Sequence, residues 1–162
     1  MPHTVALRLD DSAAAKVARL WERLYVEGLD STLMHPGSEP RMPLVSFPDD
    51  APANTIVSAI DRLTGCWQPI PVSITGITII GSLSPVLFLA AAPTISLLTL
   101  HERLHRELVE QPCDACWLPG CWAPAVVVSE WATSVAEAVK CLLPVLVEPF
   151  AGALAALELI DP

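Results

Sequence analysis

Two periodicities take turns along this chain, and their order limits the folds open to it. From Thr4 to Asp10 the residues alternate, with Val5, Leu7 and Leu9 on one side and Thr4, Ala6 and Arg8 on the other, as in a strand with one buried face. Asp10, Asp11 and Ser12 then offer capping oxygens, and the spacing changes to that of a helix, with a stripe of Val17, Leu20, Trp21 and Leu24 ending near Gly28. A loop from Ser31 to Arg41 leads to a short strand, Pro43 to Phe47. A helix follows from near Asp50, with Pro52 in its first turn and Ile56, Ile60 and Leu63 facing inward.

The second half repeats the rhythm. Val72 to Ile80 and Val86 to Ala91 read as strands on either side of the turn Gly81-Ser82-Leu83-Ser84-Pro85. Thr94 caps a helix with the stripe Leu97, Leu100/His101, Leu104 and Leu108. Pro124 to Ser129 reads as a strand, Trp131 to Leu143 as a helix stopped by Pro144, and Phe150 to Ile160 as a final strand with Gly152 as a bulge. Alternation of this kind over 162 residues predicts one α+β domain, residues 1–162, built of two pseudo-repeat lobes that flank a cleft.

Composition narrows what such a cleft can hold. Hydrophobic residues make up 52% of the chain and charged residues 17%, so apolar surface is left over for a cavity. The net charge of −9, from 9 Lys and Arg against 18 Asp and Glu, repels nucleic acid rather than attracting it. The start, Met1-Pro2-His3-Thr4, shows no secretory leader, and the apolar run Ile77 to Ala92 is interrupted by Gly81, Ser82, Ser84 and Pro85 and falls short of a membrane span. The expectation is a cytoplasmic protein without a membrane or nucleic-acid partner. The five cysteines, Cys66, Cys113, Cys116, Cys121 and Cys141, read as thiols. Cys113, Cys116 and Cys121 lack the paired spacing of a zinc site. His101 and His105, four apart on one helix face, can bind metal or simply pack, and packing is the expectation. No metal or other cofactor is implied.

In order and content, Gly81-Ser82-Leu83, Val86-Leu87-Phe88-Leu89, Leu100-His101-Glu102-Arg103-Leu104-His105 and Leu118-Pro119-Gly120-Cys121-Trp122-Ala123-Pro124 resemble the 2′-5′ RNA ligase-like family of two-histidine phosphoesterases. The resemblance implies a bilobal, pseudo-symmetric fold with antiparallel sheets flanking a central cleft and helices outside. It also implies a phosphodiesterase centre made from two His-x-Thr motifs. A Pro-Gly-x-Trp-x-Pro stretch in the family runs into one of them, whereas here Ala125-Val126-Val127 follows. Where the family carries Pro-His-x-Thr, this chain reads Met42-Pro43-Leu44-Val45, with Asp49-Asp50 beyond. No His-x-Thr or His-x-Ser occurs anywhere: His3, His35, His101 and His105 are followed two places on by Val5, Gly37, Arg103 and Glu107.

General base, general acid and the hydroxyls beside them are thus replaced by groups that can neither carry a proton nor hold a phosphate. If strand residues two apart share a face, Pro43, Val45 and Phe47 confront Ala125 and Val127 as an apolar patch. Ala6 and Arg8 join it from the first strand. Arg8 could anchor a carboxylate or enolic oxygen, or be a solvated edge arginine; Glu158 could pair with it, act as acid or base, or be an exposed charge. Phe88, Trp117 and Trp122 are candidate aromatic walls or plain core. The leading expectation is a repurposed cleft that binds a hydrophobic small molecule, with cyclisation or isomerisation as the chemistry if there is any. The alternatives are a non-catalytic ligand- or partner-binding protein and residual cyclic phosphodiesterase activity.

Overall fold

The computed structural model describes residues 3–65, 67–81 and 85–160. Cys66, Met1, Pro2 and residues 82–84 of the expected turn lie outside the described residues. In chain order the elements are β1 (His3–Leu9), α1 (Asp11–Val26), β2 (Arg41–Phe47), α2 (Ala53–Thr64), β3 (Ile70–Ile80), β4 (Val86–Ala91), α3 (Ile95–Glu107), a single 3₁₀ turn (Ala115–Trp117), β5 (Ala125–Ser129), α4 (Val135–Val147) and β6 (Phe150–Ile160).

All six strands form one antiparallel sheet in the order β2-β1-β6-β3-β4-β5. The last strand, β6, lies between β1 and β3 and so joins the two halves. The sheet curls until its edge strands, β2 and β5, touch. Helices pack in two pairs, α1 with α4 and α2 with α3, so that α4 covers β3 and α2 covers β6. The alternation of β1 places Val5, Leu7 and Leu9 in the core beneath those helices, together with Ile56 of α2 and Leu97 and Leu104 of α3.

The β1–α1 junction is fixed by one aspartate. Asp10 accepts a hydrogen bond from the Ala13 N–H at 2.8 Å, capping α1, and another from the Ala153 N–H, while its own N–H donates to the Ala153 carbonyl at 2.7 Å. The strand that meets it there has Gly152, where a Cβ would come 2.4 Å from the Ala13 Cβ. Close approach of α1 is therefore what this glycine serves, not a bulge. The extra residue of β6 is Ala155, because Arg8 faces Ala156 while Leu9 faces Leu154.

Three helix boundaries also differ from expectation. Pro52 is the N-cap of α2 rather than a residue of its first turn. Helix α4 begins only after Ser134, whose hydroxyl accepts from the Glu137 N–H at 3.4 Å, and the Trp131 N–H donates instead to Asp30. Pro144 does not stop α4 but sits within it; only the last turn follows, where the Glu148 N–H donates to the Pro144 carbonyl at 2.8 Å.

Candidate functional site

The concave side of the curled sheet carries a cleft of about 470 Å³. Its floor is made by Thr4 and Ala6 of β1, Pro43 and Ser46 of β2, Val127 of β5 and Ile160 of β6. Alternation alone explains the β1 residues, but β2 does not alternate. Val5 faces Val45 and Thr4 faces Ser46, whereas Ala6 faces Pro43, so Leu44 is an extra residue in a β-bulge. The bulge shifts the later part of the strand by one position. Pro43 and Ser46 share the cleft face, and Val45 and Phe47, 0% and 2% exposed, turn into the core. The expected facing of Val45 and Phe47 onto the cleft is thus corrected.

The bulge is held from behind. Trp122 Nε1 donates to the Pro43 carbonyl at 3.0 Å, and His101 Nε2 lies 3.2 Å from the Leu44 carbonyl, as the donor of its neutral ring. The Trp122 and His101 rings stack at 4.3 Å, and His105 meets His101 edge-on at 4.6 Å. Trp122 is therefore a strut behind β2, not an aromatic wall of the cleft. Burial, aided by the neighbouring His105, pushes the His101 pKa down to about 4 against hydrogen bonds that favour the charged form. Burial lowers His105 as well. The pair is neutral at pH 7 and serves packing.

Val127 reaches the cleft, while Ala125 and Phe88, on the same face of the β4–β5 ladder, do not line it. Trp21 and Trp117 do line it, and Trp21 Nε1 donates to the Val127 carbonyl at 3.3 Å. The rim comes from the α1–β2 segment, with Leu33, His35, Ser38 and Glu39, and from Arg41. His35 is exposed, with Ser38 Oγ 2.8 Å from its Nδ1. On the floor, Thr4 and Ser46 hydroxyls lie 3.1 Å apart.

Of the alternatives for the charged residues, the pairing of Glu158 with Arg8 is the one seen, and Arg41 joins it. Glu158 takes two cations, Arg8 Nε at 2.9 Å and Arg41 Nε at 3.3 Å, and Arg41 also meets Glu39 at 3.0 Å. Arg8 Nε approaches Glu158 without hydrogen-bond alignment and does not line the cleft. Arg41 does. Outside the cleft, Asp30 accepts from the Thr32 N–H and hydroxyl at 2.8 and 2.7 Å, from the Glu130 and Trp131 N–H groups at 2.9 and 3.0 Å, and from the Ser129 hydroxyl. Partial burial raises its pKa most strongly, but these bonds together outweigh it and hold the carboxyl below its ordinary value.

Among the described residues, no three His, Cys, Asp or Glu side chains gather where they could hold a metal ion. Cys113 and Cys141 are half-buried thiols, and Cys116 and Cys121 are exposed ones.

Neither a family profile nor any curated protein matches the chain in sequence. Among solved structures, the crystal structure of the MHV ns2 PDE domain superposes with a TM-score of 0.63, at 18% identity, over 99% of this chain and 98% of that one. The chain shares the fold of that domain. At such identity the likeness carries the fold and no residue of the chemistry. No helix among the described residues is long and apolar enough to cross a membrane.

Sequence reasoning missed Ser46, Arg41, Trp21 and His35 as cleft residues. One signal was available: a proline inside a strand favours an edge or a bulge, and Pro43 sits at both.

Proposed function

We propose that this two-histidine-fold protein has lost phosphodiester chemistry and uses its cleft to bind a hydrophobic small molecule, with Arg41 as a polar anchor at the rim. The observation that carries the reading is the open floor. Ala6, Pro43, Val127 and Ile160 line a space of about 470 Å³, a size suited to a small ligand. None of these four can donate or accept a proton. Trp21 and Trp117 add aromatic surface, and the Thr4 and Ser46 hydroxyls provide a local polar contact. Chemistry at such a floor would be of the kind that proceeds by holding a reactive conformer, cyclisation or isomerisation, rather than by nucleophilic attack.

The test has two arms. Purified protein is mixed with a 2′,3′-cyclic nucleotide, and no turnover is expected; hydrolysis that survives repurification would overturn the reading. It is then titrated with anilinonaphthalene sulfonate, an apolar dye with one anionic group, while tryptophan emission is followed. Saturable binding is expected, weakened at least tenfold in Val127→Glu and in Ile160→Arg with melting temperature retained. Binding that neither substitution disturbs would place the dye elsewhere and sink the proposal.

A further inference from the structure

Strand β3 outruns its neighbour. β6 bonds to it over Ile70 to Ile74, whereas β4 continues alongside as far as Ile80. Thr75, the extra residue of a bulge, marks the point where β6 begins with Phe150 opposite Ile74. Among the described residues, no strand bonds to Gly76–Ile80 on the side away from β4. This segment also projects beyond the core: Ile79 is 47% and Ile80 55% exposed, although the cross-strand partner of Ile79, Leu87, is fully buried. An unpaired strand edge with bulky apolar side chains and no charge is a template for pairing, and soluble proteins generally blunt such edges with Lys, Pro or a covering loop.

Charge indicates what meets it. The chain carries a net charge of −9, yet between Arg62 and Glu102 there is no Asp, Glu, Lys or Arg. The strands of the β3–β4 hairpin therefore bring no charge of their own to a contact between two copies of an otherwise acidic chain. The segment is also complementary to itself. Antiparallel pairing centred on Thr78 sets Ile77 against Ile79 and places Ile80 opposite Gly76, which has no side chain to obstruct it. We infer that the free edge of β3 is a two-fold contact between copies of this chain, joining their sheets into one continuous sheet. A few backbone bonds and isoleucine contacts make a small interface of the transient kind, so association depends on concentration. The inference is independent of what the cleft binds.

Sedimentation equilibrium of the full chain tests it, with circular dichroism confirming that each variant is folded. Wild type is expected to show a monomer–dimer equilibrium. Thr78 is exposed, so Thr78→Glu and Thr78→Lys should fold normally. Each sets like charges face to face across the axis and should be monomeric, whereas an equimolar mixture pairs Glu with Lys and should regain a dimer. A wild type that stays monomeric into the millimolar range overturns the inference. So do charge variants that dimerise as well as wild type, or a mixture that fails to associate.

Discussion

Acid should loosen this protein through His101 before its carboxylates matter. The ring is 2% exposed, stacked on Trp122 and edge-on to His105, and burial lowers its pKa from 6.5 to about 4. In the unfolded chain the same imidazole titrates near its ordinary value. Between those two pH values the unfolded state binds the proton and the folded state does not, so stability is complete above about pH 6.5 and declines as the pH falls. Near pH 4 the loss is complete, because below it both states are protonated. At about 1.4 kcal/mol per unit, the window is worth at most about 3.5 kcal/mol, a large share of the about 5–15 kcal/mol of a typical domain. His105, lowered by the same burial, adds in the same direction. Asp30 contributes nothing here, since its depressed pKa places its loss below the ordinary carboxylate value of 3.8. Urea unfolding at pH 7, 5.5 and 4 measures the effect, and a loss of this size moves the midpoint by about 1–3 M. His101→Gln keeps an N–H within reach of the Leu44 carbonyl but cannot titrate, so its midpoint should depend much less on pH across the same range. A His101 ring signal that titrates near 6.5, or a variant as acid-sensitive as wild type, would refute the reasoning.

Other substitutions probe the frame around the cleft. Asp30→Asn replaces an acceptor-only group by one whose amide faces donors, and should lower stability by about 1–3 kcal/mol at pH 7. Because the folded pKa of Asp30 is depressed, its contribution is present above the ordinary value and vanishes as the pH falls through the folded one; melting curves of the two proteins should therefore converge in acid. Gly152→Ala forces a methyl against Ala13 and should cost about 1–3 kcal/mol, with Ala13→Gly in the same chain recovering part of the melting temperature. The bulge at Leu44 separates two neighbours sharply: Val45→Thr buries a hydroxyl and should destabilise without changing dye affinity, and Ser46→Val should change affinity with little loss of stability.

Much of this could be read from the sequence, because much of it is periodic. β1, α1, β4 and α3 follow from alternation, a helical stripe and capping oxygens at Asp10 and Thr94, all within a few residues of one another. What the sequence hid depends on distant partners. Leu44 bulges because Trp122 and His101, far along the chain, take the carbonyls of Pro43 and Leu44, and no local pattern announces that. Gly152 is small for the sake of Ala13 on another element. Arg41 enters the cleft because β1 and β6 bring Glu158 beside it, a contact made by the sheet order alone.

The bulge also sets the outcome of an attempt to restore the expected chemistry. Under the proposed function, Pro43 and Val45 stand where one histidine motif would lie and Ala125 and Val127 where the other would. On β5, Phe88 faces Val127 and Ala90 faces Ala125, so the two positions share a face, and the extra residue, Val128, comes only after them. On β2 they do not share one, since Leu44 intervenes and Val45 is fully buried. An imidazole introduced by Pro43→His would enter the cleft. A hydroxyl introduced by Val45→Thr would enter the core, at a cost of about 1–3 kcal/mol unless it finds a partner there. The hydroxyl already facing the cleft beside position 43 is that of Ser46. Two variants isolate the point: Pro43→His with Ala125→His and Val127→Thr, and the same with Val45→Thr added. The fourth substitution should lower the melting temperature and leave turnover of a 2′,3′-cyclic nucleotide unchanged from the triple variant, whatever its level. If it raised turnover instead, residue 45 would have to face the cleft, and the register of β2 on β1 would be wrong.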